Sequence, residues 1–172
     1  EKNHLLLVQE MAEKYDRTFY AMYDVSGQGS LSSDDFFERM TNDWVLNLEQ
    51  SGVCSSTHYA HADGKPVVCI WGITGSANDT NYPKGDTASR VVRWFQERGY
   101  FVIIGTPDNG YTDRTGEYLE PFILADMISP WTVGRYNHGS CIKWLQNNAS
   151  KDFKFCETYD KEYQPVVFPG FS

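Results

Sequence analysis

The chain has 172 residues, 41% of them apolar and 22% charged, a balance that suits one globular domain with a real core. A net charge of −8 argues against binding nucleic acid or anionic membranes through bulk charge. No apolar run approaches the roughly 20 residues of a membrane helix, and no basic and apolar leader is visible at the start.

Residues 2–16 set Leu5, Val8, Ala12 and Tyr15 on one helical stripe. Arg17 to Met22 then turns strand-like and halts at Tyr23-Asp24-Val25-Ser26-Gly27. Ser32 or Ser33 is placed to cap a second helix whose apolar face is Phe36, Met40, Trp44 and Leu48, with Gly52 to end it. Val67 to Trp71 reads as a strand buried on both faces, and a polar loop over 73–87 follows. Thr87 is placed to cap a helix over Ala88–Arg98, closed by Gly99. Tyr100 to Ile104 is the third predicted strand, followed by a polar loop at 108–118. Ile123 to Ile128 is the fourth, and Gln164 to Phe168 the fifth. Between those two, helices are expected over Gly139–Asn147 and near 151–161.

Five strand runs thus end in turns: at Asp24, at Trp71, at Gly105-Thr106-Pro107-Asp108, at Ser129-Pro130-Trp131-Thr132 and at Phe168-Pro169-Gly170. Strands alternating with helices imply a parallel sheet. Ligands of such sheets sit beyond the carboxyl ends of the strands. Trp71 and Trp131 therefore stand where an aromatic ring can stack on the apolar face of a sugar. Asp24 and Asp108 stand where a carboxylate can accept hydrogen bonds from sugar hydroxyls, although both also suit ordinary turns. Arg135 and Tyr136 follow Trp131 closely, and Arg135 is offered two partners, a catalytic carboxylate or Asp126.

Other motifs are weaker. Residues 24–35 resemble a calcium loop, with Asp24 first, Gly29 sixth and Asp35 last, yet Ser26 and Gln28 occupy ligand positions. His58 and His61 are read as part of a surface turn, not as a metal pair. Cys54, Cys69, Cys141 and Cys156 show no CxxC spacing, so no structural zinc is expected, and Cys141 with Cys156 is the easier disulfide to draw. Asn78-Asp79-Thr80 and Asn148-Ala149-Ser150 fit the glycosylation acceptor pattern, so an extracellular or secretory location is expected. GxSxG, Walker and suitably placed GxGxxG motifs are missing, and no cofactor is expected.

In order and spacing, four blocks resemble the glycoside hydrolase family 71/99-like proteins: residues 22–27, 64–72, 129–136 and 165–172. The resemblance implies a (β/α)8 TIM-type barrel of which about five β/α units are present, so that residues 1–172 form one domain truncated at both ends. It implies a glycoside hydrolase acting on an α-linked oligo- or polysaccharide, as endo-α-mannosidases and α-1,3-glucanases do. Tyr23 and Asp24 would occupy the strand end where family 99 carries an acidic residue, and Trp71 the aromatic position after Gly-Lys-Pro. Relatives often carry Trp-Arg where this chain has Asp108-Asn109-Gly110-Tyr111, and Tyr111 is the substitute sugar platform. The catalytic carboxylate pair is expected beyond Ser172, leaving Tyr23, Asp24, Trp71, Asp108, Trp131, Arg135 and Tyr136 as substrate-binding residues and Asp24 as an assisting carboxylate. Two further readings are a non-catalytic carbohydrate-binding protein and a calcium-binding module at 24–35.

Overall fold

The structure, a computed structural model, describes residues 2–73, 83–106 and 109–167. Helix α1 (Lys2–Lys14) leads into strand β1 (Ala21–Asp24). The Ser32 hydroxyl then accepts from the backbone N–H of Asp35 at 3.1 Å and starts α2 (Ser33–Trp44). Its predicted face is the observed one. Phe36, Met40, Trp44 and Leu48 are all buried, and Trp44 sits edge-on to Phe95 and Tyr100. A π-turn over Val45–Glu49 extends the helix, and Gly52, at φ +82°, reverses the chain.

Strand β2 (His61–Ala62) pairs antiparallel with the start of β3 (Lys65–Trp71). The two-residue connection is Asp63-Gly64, both at positive φ, as a twist-matched hairpin requires. Helix α3 (Gly85–Glu97) starts three residues before the expected Ala88, so Thr87 lies inside it and donates to the Ser33 hydroxyl at 2.6 Å. Strand β4 (Phe101–Thr106) follows the Gly99 reversal at φ +83°.

The third quarter departs from expectation. Residues expected to begin a fourth strand form a short helix, α4 (Glu120–Leu124), with Pro121 in its first turn and Phe122 fully buried. Strand β5 is Met127–Pro130. Five residues are too few to show a helical period, so Ile123 and Leu124 read as strand. The two expected helices after it are one, α5 (Cys141–Tyr159), because Ser150 and Asn148 bond back to the carbonyls of Gln146 and Trp144 instead of breaking it. Asn137 fastens its start, its side-chain oxygen accepting from Gly139 N and Ser140 N. The last strand, β6, is Glu162–Tyr163, earlier than the predicted 164–168, and Phe168 lies outside the described residues.

In the sheet the order is β1-β3-β4-β5-β6, all parallel, each strand beside the one before it in the chain. Its two faces differ. Val68, Ile70, Val102, Ile104 and Ile128 pack with buried residues of α2, α3, α4 and α5 in the main core. The alternate residues Val67, Cys69, Phe101 and Ile103 form a second, smaller cluster that contains no helical residue. Among the described residues no helix is long and apolar enough to cross a membrane.

The disulfide drawn between Cys141 and Cys156 does not form. All four thiols are free. Cys141 and Cys156 lie on the same helix, roughly 22 Å apart at about 1.5 Å of rise per residue, far outside disulfide reach.

Candidate functional site

Side chains on one face of a parallel sheet fall into tiers, since register partners point the same way. On the face without helices the first tier is Val67 and Phe101, and the second is Met22, Cys69, Ile103 and Met127. The third, at the carboxyl ends, is Asp24, Trp71, Gly105 and Ser129. Trp131 follows one step on, its backbone N–H donating to the Thr106 carbonyl at 2.8 Å. Trp71 and Trp131 meet edge to face with ring centroids 6.2 Å apart. The structure brings Asp24, Trp71 and Trp131 to one end and one face of the sheet.

Gly105 makes that meeting possible. A methyl group on it would overlap the Trp71 indole, so the ring leans across β4 only because the position carries no side chain. Trp71 is half-buried and Trp131 is 39% exposed. The indole N–H of Trp71 is shielded from solvent and has no acceptor among the described residues. Below it, burial pushes the Cys69 thiol up to about 12.

Asp24 is exposed, and one of its oxygens accepts from the Ser26 backbone N–H at 2.9 Å and the Ser26 hydroxyl at 2.7 Å. That is the turn geometry of Asp. The second oxygen takes no hydrogen bond from a described residue. The calcium-loop frame is missing, because a strand precedes this loop where an EF-hand has a helix. Asp35 instead accepts from the Ser32 hydroxyl at 2.6 Å. No group of three metal-binding side chains occurs among the described residues.

The remaining candidates are dispersed. Tyr23 lies on the opposite face from Asp24, its hydroxyl donating to Asp43 and its ring tilted on Trp44. Arg135 and Tyr136 lie in the loop after β5, with the Tyr136 ring 5.0 Å from that of Trp144. Asp126 is at the other end of β5 and is engaged by the Val102 N–H at 2.8 Å. Asp108 lies outside the described residues. Tyr111, offered as a sugar platform, is fully buried: it stacks on Phe122 and donates to Asp152 at 2.7 Å. His58 and His61 are separately engaged, with Asp16 and the Tyr59 carbonyl.

A separate surface hollow lies between Phe37 and the outer residues Arg90, Arg93, Trp94 and Glu120. Its guanidinium groups are paired, Arg90 with Asp34 and Arg93 with Glu120, both at 2.6 Å. The strand-end tier is therefore the better site, since there unpaired polar groups meet exposed aromatic faces. Gly105 and Ser129 were not singled out in the sequence, although a glycine inside the run Ile103–Thr106 marks a close approach. No family model, curated protein or solved structure matches the chain.

Proposed function

We propose that this chain supplies the substrate-binding wall of a glycoside hydrolase acting on an α-linked glycan, with the carboxylate pair contributed by residues outside it. The meeting of Trp71, at the end of β3, with Trp131, just past β5, across the glycine of β4 and beside Asp24 carries the reading. Two ring faces at an angle suit a sugar chain that turns between residues, and a carboxylate beside them accepts from its hydroxyls. Five parallel strands in chain order, with helices on one face and tiers on the other, fit part of a (β/α)8 barrel.

Glycosidic hydrolysis needs two carboxyl groups, about 5–9.5 Å apart. The third tier has one, and half of it is used by Ser26. That observation also favours the second reading, a carbohydrate-binding protein without catalysis. Titration of the 172-residue chain with α-linked mannotriose and α-1,3-linked glucotriose, followed by tryptophan fluorescence, should show saturable binding that Trp131→Ala abolishes. The same chain should release no reducing ends from either sugar. Cleavage at enzymatic rates would remove the binding-wall reading, and a wild-type chain that binds neither sugar would remove the carbohydrate site.

A further inference from the structure

Asp24 belongs to two surfaces. It is the register partner of Trp71 on the aromatic tier, and it also lines a cavity of about 160 Å³ formed by the tip of β1, the turn after it and α2. The apolar lining of that cavity is Val25, Phe36 and Met40, all buried. Its polar lining includes Asp24, Gln28 and Arg39.

Arg39 holds an unusual position. Asp35 and Asp43 lie four residues to either side of it on α2, the spacing at which helical ion pairs form. Neither pairs with it: Asp35 accepts from the Ser32 hydroxyl, and Asp43 accepts from Tyr23 and Asn47. The Arg39 guanidinium reaches instead to the turn after β1 and donates to the Gln28 side-chain oxygen at 3.3 Å. It forms no salt bridge among the described residues. That neutral anchor uses one of five N–H donors and leaves the charge uncompensated. Asp24 is its counterpart, with one oxygen engaged by Ser26 and the other free of hydrogen bonds from described residues. Opposite charges thus line one small cavity without forming an ion pair.

We infer that this cavity is a second sugar subsite, in which Arg39 and Asp24 bind adjacent hydroxyls of one uncharged pyranose whose neighbour in the glycan lies on the Trp71–Trp131 pair. The inference rests on the carbohydrate reading and adds to it a polar subsite, a binding residue on α2 and the charge of the ligand. A hydroxyl both donates and accepts, so neighbouring hydroxyls can donate to the carboxylate and accept from the guanidinium. An anion would meet Asp24 and a cation would meet Arg39, whereas an uncharged polyol opposes neither. The cavity is below the roughly 300 Å³ at which pockets for drug-sized ligands begin, so it suits one ring of a longer chain. Paired strands lie about 4.8 Å apart, which keeps the Trp71 strand end close to the cavity that Asp24 lines.

The test compares wild type, Arg39→Ala and Arg39→Lys by isothermal titration calorimetry with the same two α-linked trisaccharides, with glycine and with sodium sulfate, together with thermal unfolding of each protein. Arg39→Ala should weaken trisaccharide binding about tenfold, the scale of one charge-assisted hydrogen bond. Its Tm should stay level, since Arg39 is exposed and alanine is at least as good a helix former. Arg39→Lys, which keeps the charge without the planar fork, should recover part of the affinity. Unchanged binding by Arg39→Ala beside normal wild-type binding overturns the subsite and leaves the aromatic wall standing. A Tm lowered by several degrees overturns it too, by assigning Arg39 a structural task. Saturable binding of glycine or sulfate overturns the uncharged ligand, and a wild-type chain that binds neither trisaccharide overturns both readings together.

Discussion

At Gly105 a single hydrogen in place of a methyl group decides where the Trp71 indole lies. Gly105→Ala should force the ring off β4, cost about 1–3 kcal/mol from overpacking, and separate the two indoles. Near-ultraviolet circular dichroism reads the coupled tryptophans directly, and an unchanged spectrum would show that the ring does not depend on Gly105. Cys69, one tier below, sets a pH dependence. Burial raises its thiol from an ordinary 9.0 to about 12, so the folded state favours the protonated form. Its contribution is complete below about pH 9 and is lost as pH climbs from there toward 12. Cys69→Ala should flatten urea-measured stability across that window, and an unaltered slope would assign it to the buried phenols. Trp71, Trp131 and Asp24 were legible in the sequence because each ends a β-branched run at a turn. Gly105 was not, because its role depends on a neighbour in another strand.

Among the elements, α5 carries one buried carboxylate that bonds to two of its neighbours. Asp152 is 1% exposed and accepts from Tyr111 at 2.7 Å and from Tyr163 at 3.0 Å. Those two bonds tie the helix to the turn after β4 (Asn109–Asp113) and to β6. Burial first, and the neighbouring carboxylate next, push the Tyr111 and Tyr163 phenols up. Asp152→Ala strands both hydroxyls and should cost about 3 kcal/mol or more, lowering Tm by roughly 6–12 °C for a chain of this size. Asp152→Asn keeps an acceptor and should cost less. Equal losses for the two variants would mean that packing, not hydrogen bonding, is what Asp152 contributes. The cluster explains why Tyr111 misled: its polar stretch, Asn109-Gly110-Tyr111-Thr112-Asp113, looks like open loop, but the ring is core. The start and buried face of α2 were legible, since large apolar residues at a helical period follow a serine cap, but the π-turn over Val45–Glu49 was not. Strand β6, with two residues and exposed Glu162, offered no period to read.

For the molecule as a whole, strand order was the legible property, and closure was not. Alternating strand and helix signals imply parallel neighbours, and the register shows each strand beside its predecessor. That order places the buried residues of four helices against one face and leaves tiers of Met22, Cys69, Ile103 and Met127 on the other. No local pattern in the chain encodes whether its sheet closes on itself. The same order bears on synthesis: after β1, every parallel strand leaves the ribosome with its sheet partner already translated. Pairing can therefore advance one β/α unit at a time in the direction of translation, each unit docking on a surface already made.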